Sequence, residues 1–197
     1  RQERVDPYAF PEPQLSDHDL YLFNEGRHVA LWNTLGARPM RIDGVDGTLF
    51  AVWAPDAVRV SVVGPFCQWD GRRHPMRSRG ASGTWELFLP GVAPHELYKY
   101  EIRNRGTGEL LLKSDPLARA TERRPATASV VAPPAGHAFG DHAWMDARAR
   151  LDWLHAPMSI YELHLGSWRR GEDDRFLTYR EIADQLVPYV RELGFTH

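Results

Sequence analysis

The cleanest signal along the chain is alternation with a period of two. In the run Leu97–Arg103, Tyr98, Tyr100 and Ile102 share one face, opposite Lys99, Glu101 and Arg103. Trp85, Leu87 and Leu89 likewise oppose Glu86 and Phe88 within Thr84–Leu89. Thr48–Ala54, Val58–Gly64 and Leu110–Lys113 are further short runs, rich in β-branched and aromatic residues and separated by Gly, Pro and Asp. Asn104 to Gly108 is a glycine-containing hairpin loop. Five or more short strands at this spacing, between Gly44 and about Pro116, predict an antiparallel sandwich.

The pattern changes at Met158. Ile160–Leu165 is an apolar run of strand length. Thr178 with Glu181 three residues on is a capping-box start for a helix. Ile182, Leu186, Tyr189, Val190 and Leu193 then fall on one helical face, and Gly194 is a stop signal. Pro188 removes one backbone donor from that helix and predicts a kink. Phe195-Thr196-His197 would begin a second, parallel strand, so the pattern predicts a fold that continues past His197. Arg1 in place of a methionine predicts a cut at the front as well.

Elsewhere the periods are weaker. Residues 1–18, with Pro7, Pro11 and Pro13, read as a linker from an upstream region. Residues 20–35 hold an Asn-Glu-Gly turn and a short amphipathic stretch with Val29, Leu31, Trp32 and Leu35. Residues 118–157 read as a long connector lying along a neighbouring surface, with Val130-Val131 and Trp144 as isolated packing points.

Composition narrows the class. With 43% hydrophobic and 25% charged residues, the 197-residue chain is globular in character. A net charge of −2 gives no basic footprint, which argues against a nucleic-acid partner. The single cysteine, Cys67, excludes an internal disulfide framework and fits a reducing compartment. No apolar run is long enough to span a membrane and no signal peptide opens the chain, so a cytoplasmic location and no membrane partner are expected. Seven tryptophans suit either a core or a sugar-binding surface.

The usual catalytic signatures are missing, including H-E-x-x-H, Cys-x-x-Cys, a Walker loop, G-x-G-x-x-G and G-x-S-x-G. The histidines lack metal-ligand spacing, and the calcium-loop spacing fails at Asp43-Gly44-Val45-Asp46-Gly47, so neither a metal nor a cofactor is expected. Glu162 and His164 share a strand face, an arrangement that burial explains as well as acid–base chemistry. Cys67 reads as a small residue at a turn. One place stands out: in Val62 to Gly71 a strand ends and Trp69 sits beside Asp70-Gly71 at a turn. A ring there can stack on the apolar face of a glucose unit, or it can plug the end of the sandwich.

Taken in order, several segments resemble the glycogen (1,4-α-glucan) branching enzymes. They are Tyr21 to Gly26, Phe50 to Pro55, Val60 to Gly64, Trp69 to Met76, Leu97 to Glu101, Met158 to Trp168 and Phe195 to His197. The resemblance implies a mainly β chain. Residues 19–117 would be an immunoglobulin-like β-sandwich of carbohydrate-binding module family 48. Residues 158–197 would be the first βα unit of a truncated (β/α)8 barrel of glycoside hydrolase family 13. It implies an α-glucan polymer as partner, a monomer, and cleavage of an α-1,4 bond with transfer to a 6-hydroxyl by retaining double displacement. The catalytic carboxylates of such a barrel would lie on strands outside this chain, so no residue is assigned as nucleophile or acid and the piece itself is expected to be inactive. Trp69 and Lys99 fall at positions that bind glucan in related modules. A second tryptophan expected past the hairpin is replaced by Glu109-Leu110-Leu111-Leu112, and Pro65, Phe66 and Cys67 replace a usual Asp-Phe-Asn. A stand-alone glucan-binding module and a hydrolytic debranching or trehalose-forming relative are the alternatives.

Overall fold

The computed structural model describes residues 6–10, 12–134, 136 and 138–197. The chain divides into two compact units, Arg1–Gly136 and His137–His197. In the first unit the strands are β1 (Gly36–Ile42), β2 (Val45–Trp53), β3 (Ala57–Val63), β4 (Arg77–Ser78), β5 (Thr84–Pro90), β6 (Leu97–Asn104), β7 (Leu110–Lys113), β8 (Ala120–Thr121) and β9 (Ser129–Val130). One antiparallel sheet has the order β1-β2-β5-β4. The other has β3-β6-β9-β8, with β7 also paired to β6. Mainly β structure in two antiparallel sheets is thus established.

The alternation seen in the sequence decides what faces the core. Tyr98 and Tyr100 are fully buried together with Phe50, Val60, Val62, Leu87, Leu89 and Val131. Burying each such side chain stabilises the fold by about 1.5–3 kcal/mol. β1 escaped the sequence reading because Arg38, Pro39 and Arg41 interrupt any apolar run. It is an edge strand, where a proline is tolerated because one row of backbone donors needs no partner.

Two expectations change. Glu86 and Phe88 lie on the face of β5 away from the main core, yet both are only 4% exposed. The covering comes from the stretch read as a linker; its residues 1–5 and Pro11 lie outside the described residues. Phe10 packs edge-on against Phe88 with ring centroids 4.9 Å apart. Leu15 is buried beside Leu20, Leu35 and Ala51, and its N–H donates to the Glu86 carboxylate at 2.8 Å. Arg79 bridges Glu86 (3.1 Å) and Asp17 (2.8 Å). Helix α1 (Asp17–Asn24) follows, its first turn capped by the Ser16 hydroxyl, which accepts from the Asp19 N–H at 3.0 Å. β2 is buried on both faces from Gly47 to Val52, and only a covering layer can satisfy that.

The second change is in the stretch read as a connector. Its beginning supplies β8 and β9, and Val131 is buried in the sandwich core. Trp144 is 57% exposed on α2 (His142–Ala149), where Arg148 lies over its ring, so it is no packing point among the described residues.

In the second unit, α3 (Leu165–Trp168) precedes α4 (Tyr179–Glu192). The Thr178 hydroxyl accepts from the Glu181 N–H while the Glu181 carboxylate accepts from the Thr178 N–H, so the capping box forms as read. Pro188 is accommodated inside α4, and Gly194 beyond it has a positive φ of 79°. The run Ile160–Leu165 does not form a strand as expected: residues 160–164 carry no ladder and Leu165 opens α3. The physical reason is a shortage of partners. Only at Ser159–Tyr161 does pairing occur, where the His197 N–H donates to the Ser159 carbonyl (3.0 Å) and the Tyr161 N–H to the His197 carbonyl (2.8 Å). One residue bonding on both sides of its opposite number is the slanted pattern of parallel strands. Tyr161 stacks edge-on with Tyr189 and Phe195 and accepts from the Trp168 indole N–H at 3.2 Å.

Buried in the first unit, Asp115 accepts hydrogen bonds from the hydroxyls of Tyr98 (2.7 Å) and Tyr100 (3.2 Å) and from the Leu117 N–H (2.8 Å). Burial raises the Asp115 pKa above the ordinary carboxylate value, and the tyrosine hydroxyls only partly counter it. A carboxyl raised in the folded state stabilises most while protonated, and that contribution fades as pH rises through its folded value. Asp115→Ala is expected to cost about 1–3 kcal/mol by orphaning two buried hydroxyls. Urea unfolding should show a larger loss at pH 3 than at pH 7, and an equal or reversed loss would contradict this account.

Candidate functional site

The loop after β3 is built to hold Trp69 at a fixed place. Val63 ends the strand, and residues 74–76 return antiparallel along its free edge, with Val62 N–H to His74 O at 3.1 Å and Met76 N–H to Val60 O at 2.8 Å. The loop between them is therefore closed at its base. Pro65–Cys67 make a single 3-10 turn. Gln68 and Trp69 then both adopt left-handed backbone, with φ of 56° and 59°. Such a conformation costs about 1–2 kcal/mol for each non-glycine residue. The turn offsets it with bonds from Cys67 N–H (3.1 Å) and Trp69 N–H (2.9 Å) to the Gly64 carbonyl, and from Gln68 N–H to Pro65 O (3.0 Å). Cys67, fully buried, fills the space under the turn, as the small-residue reading anticipated.

Two glycines let the loop lie flat on the neighbouring strand. A Cβ on Gly64 would fall 2.3 Å from the Leu97 carbonyl oxygen. A Cβ on Gly71 would fall 2.1 Å from a Glu101 carboxylate oxygen. The loop thus touches β6 on either side of Lys99, which pairs in register with Val63. Trp69, 40% exposed, lies in the loop between those two glycines in sequence. Lys99 points outward with Glu101, since Tyr98 and Tyr100 on the opposite face are buried, and its ammonium donates to the Thr127 hydroxyl at 2.6 Å. The loop that carries Trp69 thus packs through its glycines against the strand that carries Lys99.

Two groups that sequence reasoning missed, Glu101 and Arg59, support this loop together with Asp70. Glu101 is ion-paired with Arg59 at 2.5 Å and forms the floor beneath Gly71. Asp70 accepts three side-chain bonds from Arg72, at 2.9, 3.3 and 2.8 Å, plus its N–H at 3.0 Å. Those bonds hold the Asp70 carboxyl well below the ordinary range, so it stays ionised and the turn stays pinned at any ordinary pH. Glu101 and Arg59 could not have been found without the strand register, whereas Gly64 and Gly71 bracketing a tryptophan was the one visible hint.

The arrangement offers a half-exposed ring, an ammonium with two donors to spare and a hydroxyl, which suits stacking and hydrogen bonding to a neutral polyol. It offers no acid–base pair. Glu162 and His164 are both exposed, and the His164 ring lies 3.0 Å from the Ser167 hydroxyl. Among the described residues no group of His, Cys, Asp and Glu could hold a metal ion, and no helix is long and apolar enough to cross a membrane.

Residues 34–118 match the family described as carbohydrate-binding module 48 (isoamylase N-terminal domain). The 1,4-alpha-glucan branching enzyme of Nitrosococcus oceani is 57% identical over 192 residues, covering 98% of this chain and 26% of that protein. That of Rubrobacter xylanophilus is 57% identical over 195 residues, covering 99% of this chain and 27% of its own length. The chain thus spans about a quarter of the curated relatives it matches. Among solved structures, a pullulanase from Bacillus acidopullulyticus aligns at 26% identity with a TM-score of 0.40, over 51% of this chain and 12% of that one.

A Gly71→Ala chain is expected to remain folded but to lift the loop from Glu101. Shifts of the Trp69 indole and Gln68 amide resonances, with the buried Tyr98 and Tyr100 signals in place, would report it; an unmoved Trp69 would contradict the contact.

Proposed function

We propose that this chain is the glucan-gripping front part of a 1,4-alpha-glucan branching enzyme, because residues 34–118 match carbohydrate-binding module 48 and the whole chain is similar to about a quarter of the length of such enzymes. The observation that carries the proposal is that the loop bearing half-exposed Trp69 packs through Gly64 and Gly71 on the strand that carries Lys99. In this reading Trp69 stacks on a glucosyl ring, and Lys99 and Thr127 hydrogen-bond to its hydroxyls. The sandwich is immunoglobulin-like and runs from about residue 19 to 117.

The second unit, on this proposal, is the opening of a (β/α)8 catalytic barrel from residue 158 onward. The parallel bonds between Ser159–Tyr161 and His197, joined across α4, support it, as a βαβ unit is the repeating element of such barrels. The parent enzyme would cleave an α-1,4 bond through a covalent glycosyl intermediate and pass the sugar to a 6-hydroxyl. Its two carboxyl groups would sit about 5 Å apart on barrel strands this chain does not include. The chain alone then binds glucan without acting on it, as a monomer in the cytoplasm.

Two measurements test the reading. Trp69→Ala is expected to weaken co-sedimentation with glycogen at least about fivefold, roughly 1 kcal/mol, with Trp69→Phe retaining most of it. Unchanged retention by the alanine variant would leave Trp69 as a plug for the sandwich. Incubating the purified chain with amylose should leave the iodine-stain spectrum unaltered, and a shift would refute the assignment of the chemistry to missing strands.

A further inference from the structure

The free edge of β7 is its own complement. At the hairpin the Asn104 N–H donates to the Glu109 carbonyl at 2.9 Å, and the ladder continues with Ile102 opposite Leu111 and Tyr100 opposite Lys113. Hydrogen-bonded pairs alternate in an antiparallel ladder, so Glu109, Leu111 and Lys113 direct their backbone groups at β6. The N–H and C=O of Leu110 and Leu112 therefore point away from β6, and among the described residues no strand lies on that side. Tyr100 and Ile102 turn toward the core, so Leu110 and Leu112, opposite Arg103 and Glu101, lie on the outer face. They are 49% and 53% exposed. Unpaired backbone beside exposed leucines is a template for another strand. Glu109 and Lys113 flank the leucines and are exposed, and among the described residues neither is in an ion pair.

We infer that β7 pairs antiparallel with β7 of a second copy of this chain, centred on Leu111, when chains gather on one glucan polymer; the gathering rests on the glucan reading of Trp69 and Lys99. In that register Leu110 lies opposite Leu112 of the second copy. Both carry outward backbone groups, so the two such pairs exchange N–H to C=O bonds in both directions. Glu109 then lies opposite Lys113 of the second copy at each end. These are non-hydrogen-bonded pairs, whose side chains stand closest, so opposite charges meet twice. A shift of two residues keeps the backbone in phase but loses both charge pairs, which is why the centre falls at Leu111. A four-residue strand buries far less than the about 1,200 Å² at which stable interfaces begin, so the chain stays a monomer when dilute. Two chains on one polymer meet at an effective concentration in the millimolar range, where so small a contact is populated. Glucan binding thereby becomes cooperative.

Sedimentation velocity of the full 197-residue chain without glucan should give a monomer at about 10 μM and a mass rising toward the dimer at about 1 mM. Lys113→Glu sets like charges opposite each other and should weaken pairing about tenfold. The exchange Glu109→Lys/Lys113→Glu brings opposite charges together again and should restore it. Leu112→Pro removes an outward N–H without touching the ladder to β6, and should abolish pairing with the near-ultraviolet spectrum unchanged. On glycogen the unaltered chain should bind with a sigmoidal isotherm and Leu112→Pro with a hyperbolic one. A chain still monomeric at about 1 mM, or a dimer indifferent to the charge exchange, overturns the inference and leaves the glucan reading standing. A hyperbolic isotherm for the unaltered chain overturns the coupling to glucan. Charge-dependent pairing with no retention on glycogen supports the edge contact and overturns the glucan reading.

Discussion

The pairing of β3 with β6 is the constraint on which the first unit depends. Val62 opposite Tyr100 and Val63 opposite Lys99 set a register in which every second residue of β6 enters the core. A slip of one residue would bury Lys99 and Glu101 and expose two tyrosines, which the apolar packing forbids. The same register carries Gly64 and Gly71 to β6 and so determines where Trp69 stands. Asp115 reinforces it from within, because the hydroxyls of Tyr98 and Tyr100 reach it only when both rings are inside.

The other sheet shows how polar and apolar layers cooperate. β2 is apolar on both faces, so a single core cannot satisfy it. The segment around Phe10 and Leu15, with α1, covers the second face. Glu86 is tolerated there because Leu15 N–H and Arg79 meet its carboxylate. A buried carboxylate left without those partners would cost several kcal/mol, so the position of the N-terminal segment and the acid on β5 specify each other. The candidate site is rigid for related reasons. Its left-handed turn is held by backbone bonds to Gly64, by Arg72 on Asp70 and by contact with Glu101, none of which needs a ligand present.

In the second unit the balance differs. Tyr161, Trp168, Tyr189 and Phe195 form a small aromatic cluster, and the capping box secures the start of α4. Ile160, Phe176 and Leu193 nevertheless remain more than half exposed. Local signals suffice to form a helix with a good cap and moderate packing. They do not suffice for a strand, whose backbone groups need a neighbour along their whole length.

Much of this was written in local pattern. Alternation in Leu97–Arg103 told which residues of β6 enter the core, and Thr178 with Glu181 marked the start of α4, because period and capping depend only on near neighbours. Trp69 beside Gly71 was visible as a turn bearing a ring. The tertiary structure alone decided that Phe10 and Leu15 join a covering layer, that β1 exists despite Pro39, and that Ile160–Leu165 stays largely unpaired. It also decided that Glu101, paired with Arg59, lies against Gly71 and that Thr127 meets Lys99. Each of these rests on contacts between segments far apart in the chain, and distance in sequence leaves no periodic trace for a reader to follow.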